Sequence, residues 1–398
     1  MTNEYQKRRA RLFDQIPRHC GRGKPCEGSR GLLPASVNME RSGLVEVRRK
    51  GQPVSPDSLR ELERLAESAG ARVVEKWEQQ LERFHPAFLI GKGKLEEIKE
   101  KVEGLDLVIF NQDLSPVQYR NLEDYLGVKV VDRTGLILDI FSQRARTREG
   151  KIQVEAAQLA YLLPRLTGQG KSLSRLGGGI GTRGPGQTKL EVDRQRVRKR
   201  IAHLERELEK IQKTREVQRQ GRKARGLPTF ALIGYTNTGK STLLNRLGRA
   251  QVQTADQLFS TLDPTIRRVR LTEGLGAAVI DTVGLIQGIP HSLVAAFRAT
   301  FEEVREALGL IVMLDASNPR VEVQAETVFR VLEEVEIGRK ASITVLNKCD
   351  LVENPVELSR LSKNFEPPVV CLSALTGEGI EKLKAEMEKI VVSRRAGE

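Results

Sequence analysis

The 398-residue chain has a net charge of +14, with 39% hydrophobic and 30% charged residues. Its length suits two or three domains. No apolar run approaches the ~18 residues of a membrane-spanning helix, so no integral membrane segment is expected. Cysteines stand only at 20, 26, 349 and 371; Cys20 and Cys26 are too isolated to make a metal site, and all four read as reduced thiols of a cytosolic protein. The charge is unevenly spread. From Gly226 onward there are 20 basic and 22 acidic residues, and before it 46 and 30. All the excess positive charge therefore precedes Gly226, which points to a polyanionic partner for that part of the chain.

Residues 1–41 are basic and polar. They are expected to form a disordered extension, and without an apolar h-region they do not read as a secretory signal. An α/β pattern occupies 42–133. Leu44–Val47, Arg72–Trp77, Leu105–Phe110 and Val128–Val131 read as strands. Helices fall between them: one opened at Ser55–Ser58, one through Leu95 and Ile98, and one capped by Ser115 with Pro116 at its first position and Gly127 after its end. Strands alternating with helices predict a small parallel sheet. The turn Gly91–Lys94 is within reach of a phosphate but lacks phosphate-loop spacing, and we read it as a structural turn.

Residues 134–225 read as a helical hairpin. One arm runs from Leu136 through Ile152 and Leu159 to Leu166. The other carries Leu190, Val197, Ile201, Leu204, Leu208 and Ile211, whose steps of 7, 4, 3, 4 and 3 make a seam of period 3.5. That second arm, Lys189–Arg225, has 14 basic and 6 acidic residues. Between the arms, Thr167–Thr188 holds eight glycines with Lys171, Arg175 and Arg183. A loop this long with no core of its own is expected to be functional, and glycines interleaved with cations suit close approach to folded RNA.

From 226 to 393, before a tail at 394–398, five signals follow in order, each tied to an apolar strand. Phe230–Ile233 leads into Gly234, Tyr235, Thr236, Asn237, Thr238, Gly239, Lys240, Ser241 and Thr242, which read G-x-x-x-x-G-K-S and then the start of a helix. Such a loop cradles phosphates with backbone N–H groups, sets a lysine on the β- and γ-phosphates and gives a hydroxyl to Mg²⁺. Phe259, Ser260, Thr261, Leu262 and Asp263 form a turn-rich stretch in which Thr261 is the threonine expected to reach Mg²⁺ when a γ-phosphate orders the loop. Asp281, Thr282, Val283 and Gly284 read D-x-x-G, with Asp281 around the metal and the Gly284 N–H on the γ-phosphate. Asn347, Lys348 and Asp350 belong to N-K-x-D, where the Asp350 carboxylate accepts from the N1–H and exocyclic amine of guanine. Adenine lacks that donor pair, which disfavours an ATPase. Ser373 and Ala374 follow the last strand and are placed to offer N–H groups to guanine O6. Direct Mg²⁺ ligands are expected to be Ser241 and Thr261, with Asp281 behind them.

Leu285 follows D-x-x-G, where Ras-like proteins hold a glutamine that positions water. An apolar side chain cannot do this, so we name no catalytic residue and expect slow GTP hydrolysis unless an ion or partner assists. Asn237 occupies a position that is also asparagine in potassium-dependent GTPases, which adds K⁺ as a second cofactor candidate.

The segment Gly178–Arg194, together with Phe259–Pro264 and Ile90–Glu97, resembles the HflX family of translational GTPases over roughly Leu44 to Ser393. Gln187 stands where many members have Glu, and a further C-terminal domain found in some members is absent or minimal. The resemblance implies an α/β fold: an N-terminal βα domain with a long helical hairpin, then a Ras-like P-loop GTPase domain with a mixed, mostly parallel sheet. It implies GTP and GDP as ligands and the large (50S) ribosomal subunit and its rRNA as partners. It further implies a role in splitting or rescuing stalled ribosomes under stress, with the chain a cytoplasmic monomer on ribosomes or peripherally at a membrane. An assembly factor that holds immature large subunits is the alternative. A switch for a protein or membrane partner fits the basic half poorly.

Overall fold

The computed structural model describes residues 39–51, 58–166, 189–224, 226–248, 259, 265–271, 275–286, 298–335, 337 and 340–396. The chain divides into two compact units, Met1–Arg133 and Thr134–Glu398.

In the first unit, strands β1 (Glu40–Arg49), β2 (Ala71–Leu81), β3 (Leu107–Phe110) and β4 (Lys129–Asp132) form a parallel sheet of order β2-β1-β3-β4. Helices α1 (Ser58–Ser68), α2 (Lys92–Lys101) and α3 (Pro116–Leu126) alternate with them. β1 and β2 are both longer than their apolar centres predict, because parallel pairing carries on through their polar ends, Arg48 opposite Gln80 and Arg49 opposite Leu81. α3 begins as its sequence dictates. Ser115 Oγ accepts from Gln118 N at 3.2 Å and Gln118 Oε1 from Ser115 N at 3.0 Å, while Gly127 closes the helix at φ 75°. Gly91 caps α2 and its N–H donates to Gln79 Oε1 at 2.9 Å, which gives the Gly91–Lys94 turn a structural occupation.

The second unit opens with α4 (Arg133–Arg144, whose first residue closes the first unit), α5 (Arg148–Leu162) and α6 (Lys189–Ala224). The continuous first arm read from sequence is broken between α4 and α5, where Thr147 Oγ1 accepts from Gly150 N at 3.0 Å and restarts the helix. α5 and α6 run antiparallel, with Arg200 on Glu155 (2.7 Å), Arg148 on Glu207 (3.3 Å) and Arg215 on Glu149 (2.6 Å). Of the described residues on the second arm's seam, Val197 and Leu204 are buried, and Ile201, Leu208 and Ile211 are half-buried.

The larger sheet is built from β5 (Thr229–Gly234), β6 (Thr265–Arg270), β7 (Gly276–Asp281), β8 (Gly309–Asp315), β9 (Ala341–Asn347) and β10 (Val369–Cys371). Its order is β10-β9-β8-β5-β7-β6, parallel except that β6 runs against β7. Both faces are covered, as near-continuous apolar strands require. Phe230, Leu232 and Ile343 pack on α7 (Lys240–Gly248) and α11 (Ile380–Ala396). Ala231, Ile233 and Val312 pack on α8 (Arg298–Glu306), α9 (Val321–Glu334) and α10 (Pro355–Ser362). Each fully buried leucine or isoleucine contributes about 1.5–3 kcal/mol. This two-sided packing is what holds the strand ends still. No described helix is long and apolar enough to cross a membrane.

Candidate functional site

The carboxyl ends of β5, β7, β9 and β10 converge at one edge of the larger sheet, the edge at which open parallel sheets take nucleotides. Leaving β5, the chain turns through Asn237 at φ 62° and Gly239 at φ 89°. Gly239 is required twice over, since a Cβ there would lie 2.3 Å from Asn347 Nδ2. A Cβ on Gly234 would lie 2.3 Å from Met313 O on β8.

Lys240 opens α7 and is buried. Its Nζ donates to Gly234 O at 3.0 Å and Tyr235 O at 2.7 Å. Burial lowers the ammonium to about 8, against the opposing pull of the Asp281 carboxylate. A desolvated cation at a helix start, the end where backbone N–H groups point outward, is an anion site. Thr238 Oγ1 donates to Tyr235 O at 3.0 Å and stiffens the same loop.

Ser241 Oγ donates to Asp281 Oδ2 at 2.8 Å. A hydroxyl and a carboxylate at the foot of a phosphate loop are hard oxygen donors, the set that Mg²⁺ accepts while sharing its remaining positions with phosphates. A Mg²⁺ held by Ser241 and Asp281 would neutralise charge on the phosphate oxygens. Thr282 Oγ1 donates to Leu232 O at 2.6 Å and pins the D-x-x-G turn to β5. Gly284 passes so close to the loop that a Cβ would meet Thr236 Cγ2 at 2.9 Å and Lys240 Nζ at 3.3 Å.

Leu285 is held on both sides. Its N–H donates to Gly234 O at 3.0 Å and its carbonyl accepts from Thr236 N at 2.8 Å. Its side chain lies in the core with Ile233, Val304 and Val312. The position is thus committed to packing as well as lacking an amide.

The base-recognition elements meet at Asn347, which ends β9. Its Nδ2 donates to Thr238 O at 2.7 Å and its Oδ1 accepts from Ala374 N at 2.9 Å. One buried amide therefore ties together the phosphate loop, N-K-x-D and the loop after β10. Lys348 is left-handed at φ 63° and its Nζ meets Asp315 Oδ2 at 2.8 Å. Asp350 is exposed on the short turn Cys349–Leu351, with its carboxylate open to a base. In one respect the arrangement differs from the sequence reading. Ser373 N–H donates to Glu378 O at 3.0 Å and Ala374 N–H to Asn347 Oδ1, so each amide expected at guanine O6 already has an internal acceptor, and base contact entails sharing it.

Phe259 is at φ 55° and almost fully buried. Its ring stands edge-on to Phe141 of α4, centroids 4.7 Å apart. Ser260, Thr261, Leu262, Asp263, Lys171, Arg175 and Arg183 lie outside the described residues. Val283 is buried, and Thr242 is half-buried on α7. Sequence reasoning passed over Asp315, although an acid closing the apolar run Leu310–Leu314 is the same signal that marks Asp281. It also passed over Phe141, for which no local signal exists.

Fold and site together define a GTPase of the Ras-like P-loop class. Three family profiles match the chain: GTP-binding GTPase N-terminal over residues 56–142, GTP-binding GTPase Middle Region over 144–222, and 50S ribosome-binding GTPase over 229–348. The GTPase HflX of Lacrimispora saccharolytica is 47% identical over 358 residues, 89% of this chain and 84% of that protein. The GTPase HflX of Escherichia coli is 47% identical over 329 residues, 82% of this chain and 77% of its own length. A GTP-binding protein of Sulfolobus solfataricus, solved in complex with GDP, aligns over 89% of this chain and 99% of that one at 25% identity, with a TM-score of 0.45. The chain belongs to the HflX family of GTPases, and GTP hydrolysis is its reaction.

Proposed function

We propose that this protein is a ribosome-dependent GTPase that docks on the large ribosomal subunit and separates the subunits of stalled ribosomes. The observation that carries this is the match of the nucleotide domain to a 50S ribosome-binding GTPase, joined to a preceding part that holds 46 basic against 30 acidic residues. In this reading residues 42–133 and the hairpin 134–225 face rRNA, the loop 167–188 makes phosphate contacts through Lys171, Arg175 and Arg183, and the GTPase domain spans 226–393. The chain works as a monomer in the cytoplasm, on ribosomes.

Within the site, Lys240 and the loop Gly234–Ser241 hold the β- and γ-phosphates, and Ser241 and Thr261 ligate Mg²⁺ with Asp281 behind. Asp350 selects guanine. Because Leu285 is packed away, turnover is slow alone. A K⁺ held near Asn237, or a ribosomal group, supplies what Leu285 lacks. Equal turnover in Na⁺ and K⁺ buffers removes the K⁺ part.

The deciding experiment incubates the GTP form with intact ribosomes and with immature large subunits, and resolves both on sucrose gradients. Loss of intact ribosomes into free subunits supports splitting. Stable binding to immature subunits alone replaces it with an assembly role. Replacing Lys171, Arg175 and Arg183 together by Ala is expected to leave basal turnover and nucleotide affinity unchanged and to abolish most stimulation by purified large subunits. Full stimulation of that variant reduces the loop to a linker.

A further inference from the structure

Two thiols meet behind the base-recognition turn. Cys349 lies between Lys348 and Asp350, and Cys371 ends β10. Leu346 is registered against Cys371 across the β9–β10 pair. The carbonyl of Leu346 accepts from Leu372 N at 2.9 Å and from Cys349 Sγ at 3.1 Å, while Cys349 N donates to Leu372 O at 3.3 Å. The Cys349 side chain is thereby folded back over the end of β10, beside Cys371. Both cysteines are free and half-buried, open to a small reagent.

We propose that Cys349 and Cys371 form a reversible thiol–disulfide site, closed by hydroperoxides, whose closure displaces Asp350 and weakens guanine-nucleotide binding.

The two thiols are unequal, as such a site requires. The neighbouring Cys349 thiol and the Lys382 ammonium bring Cys371 down to about 7 against burial, and the neighbouring Cys371 sulfur together with burial pushes Cys349 up. Cys371 is therefore the attacking thiolate and Cys349 the resolving thiol. The Cys371 thiolate attacks one peroxide oxygen; the O–O bond breaks, the departing alkoxide or hydroxide takes a proton, and Cys371 becomes a sulfenic acid. Cys349 gives up its proton and attacks that sulfur. The S–S bond forms as the S–O bond breaks, and hydroxide leaves with the proton as water. Two thiols are oxidised by two electrons and one peroxide is reduced.

A disulfide holds its sulfurs at about 2.05 Å, far closer than two unbonded thiols can approach. Closing that gap draws Cys349 toward β10 and with it the turn Cys349–Leu351 that carries Asp350. Hydrogen bonds weaken steeply with misalignment, so the base loses its acceptor.

The test uses the full chain with Cys20→Ser and Cys26→Ser. Hydrogen peroxide is added, peptides are mapped by mass spectrometry, and fluorescent GDP is titrated before and after. We expect a Cys349–Cys371 cross-linked peptide, affinity reduced about tenfold or more, and recovery on adding dithiothreitol. Cys371→Ser is expected to bind GDP normally and to be indifferent to peroxide. Cys349→Ala is expected to stop at a sulfenic acid on Cys371 that dimedone traps. Absence of the cross-link overturns the proposal, and so does a cross-link that leaves affinity within about twofold. A reduced chain that binds no GDP at all would instead strike at the nucleotide site.

Discussion

Lys240 carries the largest electrostatic burden in the site. A lysine titrates near 10.4 when unfolded, and here burial brings it to about 8. Between those values the unfolded chain holds more protons, so stability rises with pH from about 8 to about 10, and below 8 the buried charge opposes folding in full. Lys240→Met is therefore expected to raise the melting temperature at pH 7 while abolishing nucleotide binding. Thermal unfolding from pH 7 to 10 checks this, and the parent's gain with pH should vanish in the variant. Asp350→Asn removes a charged acceptor, and bonds to charged groups are worth about 1.5–3 kcal/mol, so GTP affinity should fall by roughly an order of magnitude or more in a fluorescent-nucleotide titration. Motif residues such as these are legible in sequence because their spacing is local. The tie from Asn347 to Thr238 spans 109 positions, and the turning of Leu285 into the core depends on α8 and β8, so neither has a local pattern to betray it.

Elements are set by pattern, and their limits by partners. The alternation of strands and helices in both units was readable because apolar runs, caps and glycines agree there. The break at Thr147 was not, since one capping threonine overrides an apolar repeat that continues through it. The antiparallel run of β6 against β7 also has no signature in β6 itself. In the first unit, β1 shifts register between Ser42 and Gly43, and a Cβ on Gly43 would stand 2.3 Å from Trp77 Cζ3. Gly43→Ala is expected to destabilise that unit by about 1–3 kcal/mol through overpacking, read as a lower denaturant midpoint at unchanged slope. Ser115→Ala, which removes the α3 cap, should cost about 1 kcal/mol in the same assay.

At the scale of the whole molecule, charge and nucleotide chemistry lie in different stretches of one chain. Nucleotide binding should respond little to salt, whereas the proposed binding to the large subunit should weaken steeply as salt rises. If Lys171, Arg175 and Arg183 each meet a phosphate, the triple alanine variant should lower the slope of log affinity against log salt by roughly one per contact. Co-sedimentation across a salt series measures it, and an unchanged slope places the contacts elsewhere.

The edge-on contact between Phe141 and Phe259 has a consequence that does not depend on distance. Phe259 belongs to the stretch that the γ-phosphate is expected to order, and Phe141 belongs to α4. If that ordering changes how the two rings meet, a ligand that holds α4 in one arrangement changes the preference for GTP over GDP, and GTP relative to GDP changes that ligand's affinity by the same factor, because the two bindings share a single coupling free energy. An aromatic pair contributes about 0.5–1.5 kcal/mol beyond burial, enough for a factor of roughly two to ten. Phe141→Leu keeps most of the apolar volume and removes the ring edge. The ratio of GTP to GDP affinities should shift within that range, and a ratio that stays put means that α4 and the nucleotide are thermodynamically indifferent to each other.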